Sequence, residues 1–330
     1  MNHKYIATQR ASSLEWAKHV LTNQGFLFEN PIEVVREMPW STVYRIPSLQ
    51  GNLYLKLAAK PFGIETILVP YLSRYYPALL PHILATNPEL HAIIMNDSGE
   101  PLRPILQKKY HVNLAMEAID HYAAIQIGMI SHVDELLALG VLDWRLSALP
   151  NLYLDFLAQK EALIQDGLTA DEIELLIKRQ PKVLRLCKEL AQYKIPETIE
   201  HGDFHDNNIL MSSKQQLVIN DWGDAVITHP FFSLTTCLSS VRRNHLIESS
   251  SPHYATILHG YLKHWLKFEP QNRLMAAFTL ANRLSPIKFV LSFHRITLCG
   301  DSEACDRYRG FVADTLKLFL KTEHSYEPKI

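Results

Sequence analysis

The stretch His201-Gly202-Asp203-Phe204-His205-Asp206-Asn207-Asn208-Ile209-Leu210, followed by Val218-Ile219-Asn220-Asp221-Trp222-Gly223-Asp224, decides the reading of this chain. Asp203 stands five residues before Asn208, and Asp221 thirteen residues after it. Residues 208–211 and 217–220 are β-rich, and the polar run 212–215 separates them as a turn. A hairpin of this length folds Asn208 and Asp221 side by side, with Asp203 at its mouth. Two carboxylates and one amide oxygen are thereby grouped. Hard oxygen donors in small number suit Mg²⁺, which keeps several waters and takes its remaining ligands from phosphates. Phosphoryl transfer needs such a metal, and a carboxylate that orients the attacking hydroxyl and accepts its proton.

Outward from this stretch, the chain changes character. Residues 12–24 carry a helical apolar stripe, and Ser12 and Glu15 have capping-box spacing. Residues 32–36 and 42–46 read as strands interrupted at Met38-Pro39-Trp40-Ser41. The turn signal at residues 49–52 precedes a strand that buries Leu53, Leu55 and Leu57 on one face and points Lys56 to the other. Residues 62–75 read as a helix carrying Glu65, and 91–95 as a short strand ending at Met95. Residues 96–99 read as a linker. Beyond residue 105 the periodicity is helical near 114–138, 152–164, 170–178 and 181–193, and again from Pro230 to the end, with a break near 300–301. The implied fold class is α+β: a small antiparallel β-rich N-lobe over 1–97 and a larger, mostly helical C-lobe over 98–330.

The quoted stretch resembles the catalytic loop of the aminoglycoside phosphotransferase and choline kinase group, enzymes of the protein-kinase-like fold. Its Asp-to-Asn spacing is that of H-R-D-x-x-x-x-N, and Asp221-Trp222-Gly223 reads as a variant of D-F-G. The resemblance covers about residues 30 to 320. It implies that Asp203 is the catalytic base and that Asn208 and Asp221 hold Mg²⁺. It further implies that Lys56 grips the α- and β-phosphates of ATP, with Glu65 as its ion-pair partner. Met95 and Asn96 then lie at the hinge that meets the adenine. The phosphate-covering loop falls at residues 38–42, which hold no glycine, so backbone N–H groups or the Ser41 hydroxyl are expected to meet the phosphates. GTP in place of ATP stays open. Where the family often has Pro-Gly, this chain has Asp206-Asn207. Asp206 then serves substrate or metal, or faces solvent. His201 and His205 are expected to brace the loop. Asp224 either touches a substrate amine or sits at a helix N-terminus.

The partner expected from the resemblance is a small-molecule hydroxyl acceptor. A protein kinase is the alternative, but no A-P-E occurs, and His229-Pro230-Phe231-Phe232 begins a new segment eight residues past Asp221. A nucleotide-binding pseudokinase is kept open by the glycine-free loop. A metal-dependent hydrolase built on His201, Asp203, His205 and Asp206 leaves Asn208, Asp221 and Lys56 unexplained.

Bulk properties narrow the partners. Net charge is −1 and the pI is near 7.0, so no global field attracts nucleic acid or an anionic membrane. The apolar runs at 125–130 and 287–293 are short or broken by charge, and no membrane span or signal peptide is expected. Cys187, Cys237, Cys299 and Cys305 form no C-x-x-C pair, which points to free thiols and a reducing cytoplasm.

Overall fold

The structure is a computed structural model that describes residues 2–299 and 308–321. The expected break at 300–301 and Cys305 lie outside the described residues. The chain divides into two compact units. The first comprises Met1–Pro101, Ile209–Asp224 and Arg295–Arg307; the second comprises Leu102–Asn208, Ala225–His294 and Tyr308–Ile330.

The first unit opens with α1 (Asn2–Asn23). The helix starts ten residues before Ser12, so the Ser12–Glu15 spacing lies inside it and caps nothing. A side-chain cap is needed only where N–H groups lack a partner one turn back, and here that turn exists. Ser13 instead returns its hydroxyl proton to the Gln9 carbonyl at 2.8 Å. Five strands follow: β1 (Glu33–Met38), β2 (Ser41–Ser48), β3 (Gly51–Ala58), β4 (Ile83–Asn87) and β5 (Ala92–Asn96). They form one antiparallel sheet in the order β1-β2-β3-β5-β4, and α2 (Glu65–Ser73) lies between β3 and β4 in the chain. β4 carries no clear alternation and was not expected. Ala17 and Leu21 of α1 pack with Tyr44, Ile46, Leu53, Leu55, Leu57 and Ile94 in one core cluster. Burying each leucine or isoleucine of this cluster contributes roughly 1.5–3 kcal/mol.

The expected linker at 96–99 is an ordered turn. Asp97 accepts the Gly99 N–H at 2.8 Å, and Glu100–Pro101 continues as β6. β6 pairs antiparallel with Ile209–Met211, which pairs in turn with Leu217–Ile219. This is the hairpin that the sequence placed there. The Ile219 N–H donates to the Leu79 carbonyl at 2.8 Å and so anchors it within the unit.

The second unit is mostly helical: α3 (Leu102–Lys108), α4 (Val112–Gly128), α5 (Val133–Ala138), α6 (Leu149–Leu157), α7 (Lys160–Asp166), α8 (Ala170–Lys178), α9 (Gln180–Leu190), α10 (Phe231–His245), α11 (Pro252–Leu262) and α12 (Gln271–Thr297), with a last helix at Phe311–Lys321. The expected segment 152–164 is two helices, α6 and α7. A small sheet also appears, with Val226–Thr228 between Leu142–Asp143 and Thr198–Glu200. α12 is long and apolar enough by length and composition to cross a membrane. Within the second unit Leu274, Ala277, Ala281, Leu284, Ile287 and Val290 are fully buried in the protein interior.

Candidate active site

Lys56 lies in the middle of β3, paired with Val43 of β2 and Ile93 of β5. Both faces of this strand are covered, so the lysine is as buried as the leucines around it. Its Nζ lies 2.6 Å from Glu65 Oε2 and donates to Asp221 Oδ1 at 2.5 Å. Only 8% of the lysine side chain and 3% of the glutamate are exposed. An unpaired charge could not persist at such depth. Burial disfavours the ammonium, but Asp221 and Glu65 more than offset this and hold the Lys56 pKa above its usual value. Burial acts on Glu65 in the opposite sense: it raises the carboxyl, Asp221 adds to this, and Lys56 draws it down.

Glu65 has a second task. Its Oε1 accepts the Trp222 N–H at 3.1 Å, so one carboxylate holds both the lysine and the residue after Asp221. Trp222 is fully buried and donates its indole N–H to the Ile219 carbonyl at 2.9 Å. Asp221 itself has φ 67°, the left-handed region that non-glycine residues seldom enter. A backbone held there costs on the order of 1–3 kcal/mol and persists only where surroundings enforce it, most often at functional sites. Gly223 allows a close approach: a Cβ there would lie 3.2 Å from the Phe62 carbonyl oxygen and 3.3 Å from its Cβ, a tight contact. Arg295 fastens the same turn. It donates to the carbonyls of Gly223 at 2.9 Å, Asp224 at 3.2 Å and Pro61 at 2.5 Å, and stacks over the Phe62 ring at 4.7 Å. Asp224 lies 3.8 Å from the same arginine through Oδ1. No sequence signal marks Arg295, because its partners are far away in the chain.

The other first-unit residues are placed as follows. Met38 pairs with Ser41, so the expected phosphate-covering loop is a two-residue turn of Pro39 and Trp40. The Trp40 carbonyl accepts the Ala59 N–H at 2.7 Å, and Ser41 is buried at the start of β2. Met95 lies within β5, paired with Tyr54 and Ile83. Asn96 donates its backbone N–H to the His82 carbonyl at 3.0 Å, and its amide lies 3.0 Å from His82 Nδ1. The N–H groups of Asn96, Asp97 and Gly99 are therefore all engaged within the protein.

Asp203 and Asn208 belong to the second unit. Asn208 is buried and donates its amide N–H atoms to Asp203 Oδ2 at 3.0 Å and to the Asp203 carbonyl at 2.9 Å. His205 Nε2 lies 3.1 Å from the same Oδ2. Burial of its surroundings works against the Asp203 carboxylate, yet His205, with His201 and Lys288 behind it, holds its pKa below the usual range. The side chain is nevertheless 48% exposed, so screening by water weakens these attractions. Burial lowers the His205 pKa, but Asp203 overcomes it and the net direction is upward. His205 is thus a direct partner of the carboxylate as well as a loop brace.

Asp206 does not face solvent: only 11% of its side chain is exposed. Its Oδ1 accepts from Arg103 Nε and Nη2, both at 3.0 Å, and from Ser240 at 3.0 Å. Its Oδ2 lies 2.6 Å from His245 Nε2. Burial opposes ionisation, but His245 and Arg103 pull the Asp206 pKa down to about 2. The residue ties the loop to α3 and α10. Behind the loop, fully buried Glu200 accepts from Ser233 at 2.7 Å, and Ser233 lies 2.5 Å from the Tyr122 hydroxyl. Tyr122 accepts the His201 N–H at 3.0 Å and stacks on Phe204 at 3.9 Å. Among the described residues no group of three or more His, Cys, Asp or Glu is placed to hold a metal ion.

Residues 97–271 match the model of the phosphotransferase enzyme family, APH, over slightly more than half the chain. The chain belongs to that family. Solved structures resemble this member along nearly its whole length. The amicoumacin kinase hAmiN, in complex with AMP-PNP, Ca²⁺ and Ami, superposes with a TM-score of 0.62 at 11% identity, over 98% of this chain and 97% of the other. Ethanolamine kinase from Plasmodium vivax gives 0.60 at 10% identity, over 88% and 82%. A choline/ethanolamine kinase family protein from Mesorhizobium loti gives 0.57 at 15% identity, over 90% and 90%. The α+β class with a β-rich N-terminal region is therefore that of the kinase-like fold. No match was found among curated protein sequences.

Proposed function

We propose that this phosphotransferase moves the γ-phosphoryl group of Mg·ATP to a hydroxyl of a small molecule in the cytoplasm. The observation that carries the reading is the buried Lys56, held at 2.6 Å from Glu65 and 2.5 Å from Asp221. A lysine fixed in this way is a preset positive point for phosphate oxygens, and its cost of burial is already met by two carboxylates.

The donor set fits Mg²⁺. Asp221 and Asn208 offer hard oxygens, and Asn208 spends its N–H atoms on Asp203, which leaves its oxygen as the atom for a cation. When bound, Mg²⁺ neutralises charge on the phosphate oxygens. Lys56 orients the α- and β-phosphates and Glu65 keeps it aimed. Asp203 stays ionised beside His205, so it orients the acceptor hydroxyl and takes its proton as the new bond forms. Met95, Asn96 and Ser41 are assigned to the nucleotide side. The AMP-PNP and Ca²⁺ bound by the amicoumacin kinase favour nucleotide and divalent metal use here. Asp206 is committed to Arg103, Ser240 and His245, which breaks the quartet that a metal-dependent hydrolase would need.

The test is ADP release from Mg·ATP across aminoglycosides, choline, ethanolamine, hexoses and homoserine. Acceptor-dependent release that EDTA abolishes is expected. Tight Mg·ATP binding with no release for any acceptor would favour the pseudokinase alternative.

A further inference from the structure

Lys288 lies on α12, in the second unit, and only 6% of its side chain is exposed. Its ammonium donates to the carbonyl of Gly202 and lies 3.3 Å from Glu200 Oε2. Glu200 is fully buried, and its other oxygen is engaged by Ser233. The two residues flanking His201 are thus both held by one cation that arrives from 86 residues further along the chain. A buried pair of this kind adds little net stability against an apolar pair of the same size. Its presence directly behind Asp203 therefore calls for another reason.

The backbone supplies one. Gly202 has φ 89°, a conformation that a glycine enters without steric cost and leaves as easily. Rotation of the peptide between Gly202 and Asp203 would swing the Asp203 carboxylate. The Gly202 carbonyl is the atom whose direction reports that rotation, and Lys288 holds it. One residue earlier, the His201 N–H is fixed by Tyr122 at 3.0 Å, and within the Gly202–Asp203 peptide itself the Asp203 N–H points to His201 Nδ1 at 3.3 Å. Lys288 takes the other end of that same peptide, its carbonyl, so the plane that carries Asp203 is held from both sides.

We propose that Lys288 is a positioning residue: through the Gly202 carbonyl it fixes the peptide that aims Asp203, and Glu200 is the counter-charge that lets it be buried there. The inference rests on the role given to Asp203 under the proposed function.

The test uses the full chain carrying K288M/E200Q, which removes both charges together and leaves no buried ion without a partner. ADP release from Mg·ATP is measured with the hydroxyl panel and with water alone. Mg·ATP affinity is measured by calorimetry and folding by circular dichroism, with D203N as control. The expected result is a folded protein with Mg·ATP affinity within twofold of wild type and ADP release at least tenfold slower. ADP release within twofold of wild type would overturn the proposal. So would affinity and release falling in the same proportion, since that is loss of the unit and not of aim. Full release in D203N would sink the Asp203 assignment itself. An inert D203N beside a fully active K288M/E200Q would sink this inference alone. Silence of the wild type with every acceptor and with water would remove both.

Discussion

Two charge clusters carry the proposed chemistry, and they are built in opposite ways. In the first unit Lys56, Glu65 and Asp221 are buried against one another, and each functional group is also the structural partner of the next. In the second unit Asp203 is half exposed, and its support is delegated. Asn208 and His205 touch it, while Asp206 and Lys288 hold the backbone on either side. The lesson is where a substitution should register. In the first cluster chemistry and stability fail together. In the second they come apart.

D203N should have the largest effect. Loss of a positioned general base lowers turnover by roughly 10²–10⁴-fold. Thermal stability should change little, because the side chain is half open to water. A D203N protein that melts far below wild type would break the contrast.

K56M comes next, and here stability should move. It leaves Glu65 buried without its cation, and breaking such a pair costs roughly 3–5 kcal/mol. Urea unfolding at neutral pH measures this, and Mg·ATP affinity should fall in the same variant. Unchanged stability would mean that the first cluster is organised like the second.

D206N should have a smaller effect, with a pH signature. The carboxyl pKa is about 2 in the folded protein against 3.8 ordinarily, which corresponds to about 2 kcal/mol. A depressed acid stabilises the fold at pH values above its unfolded pKa, and that contribution fades as pH falls through the folded value. The unfolding free energies of wild type and D206N should therefore differ by about 2 kcal/mol at pH 7 and converge between about pH 4 and pH 2. Curves that stay parallel would show that Asp206 is not held by Arg103 and His245.

The same division explains what could be read from sequence. Lys56 was legible because it stands between regularly alternating leucines on a strand, and Asp203, Asn208 and Asp221 because they stand at motif spacing around a hairpin. Short range carried that information. Arg103, His245, Lys288 and Arg295 were not legible. They lie up to 234 residues from the groups they hold, and each alone is an ordinary helix-face residue. The strands Leu142–Asp143, Thr198–Glu200 and Val226–Thr228 escaped for a related reason. Two or three residues cannot show a period, and only tertiary pairing makes them strands. The Ser12–Glu15 spacing misled because a cap motif says nothing about helix upstream of it.

Phosphorus NMR of Mg·ATP with the acceptor panel tests the central claim most directly, on wild type and D203N side by side. A new phosphate-monoester resonance that grows with ADP in the wild type and fails to appear in D203N is the expected result. ADP and inorganic phosphate forming at equal rates in both proteins, with no monoester for any acceptor, would contradict it.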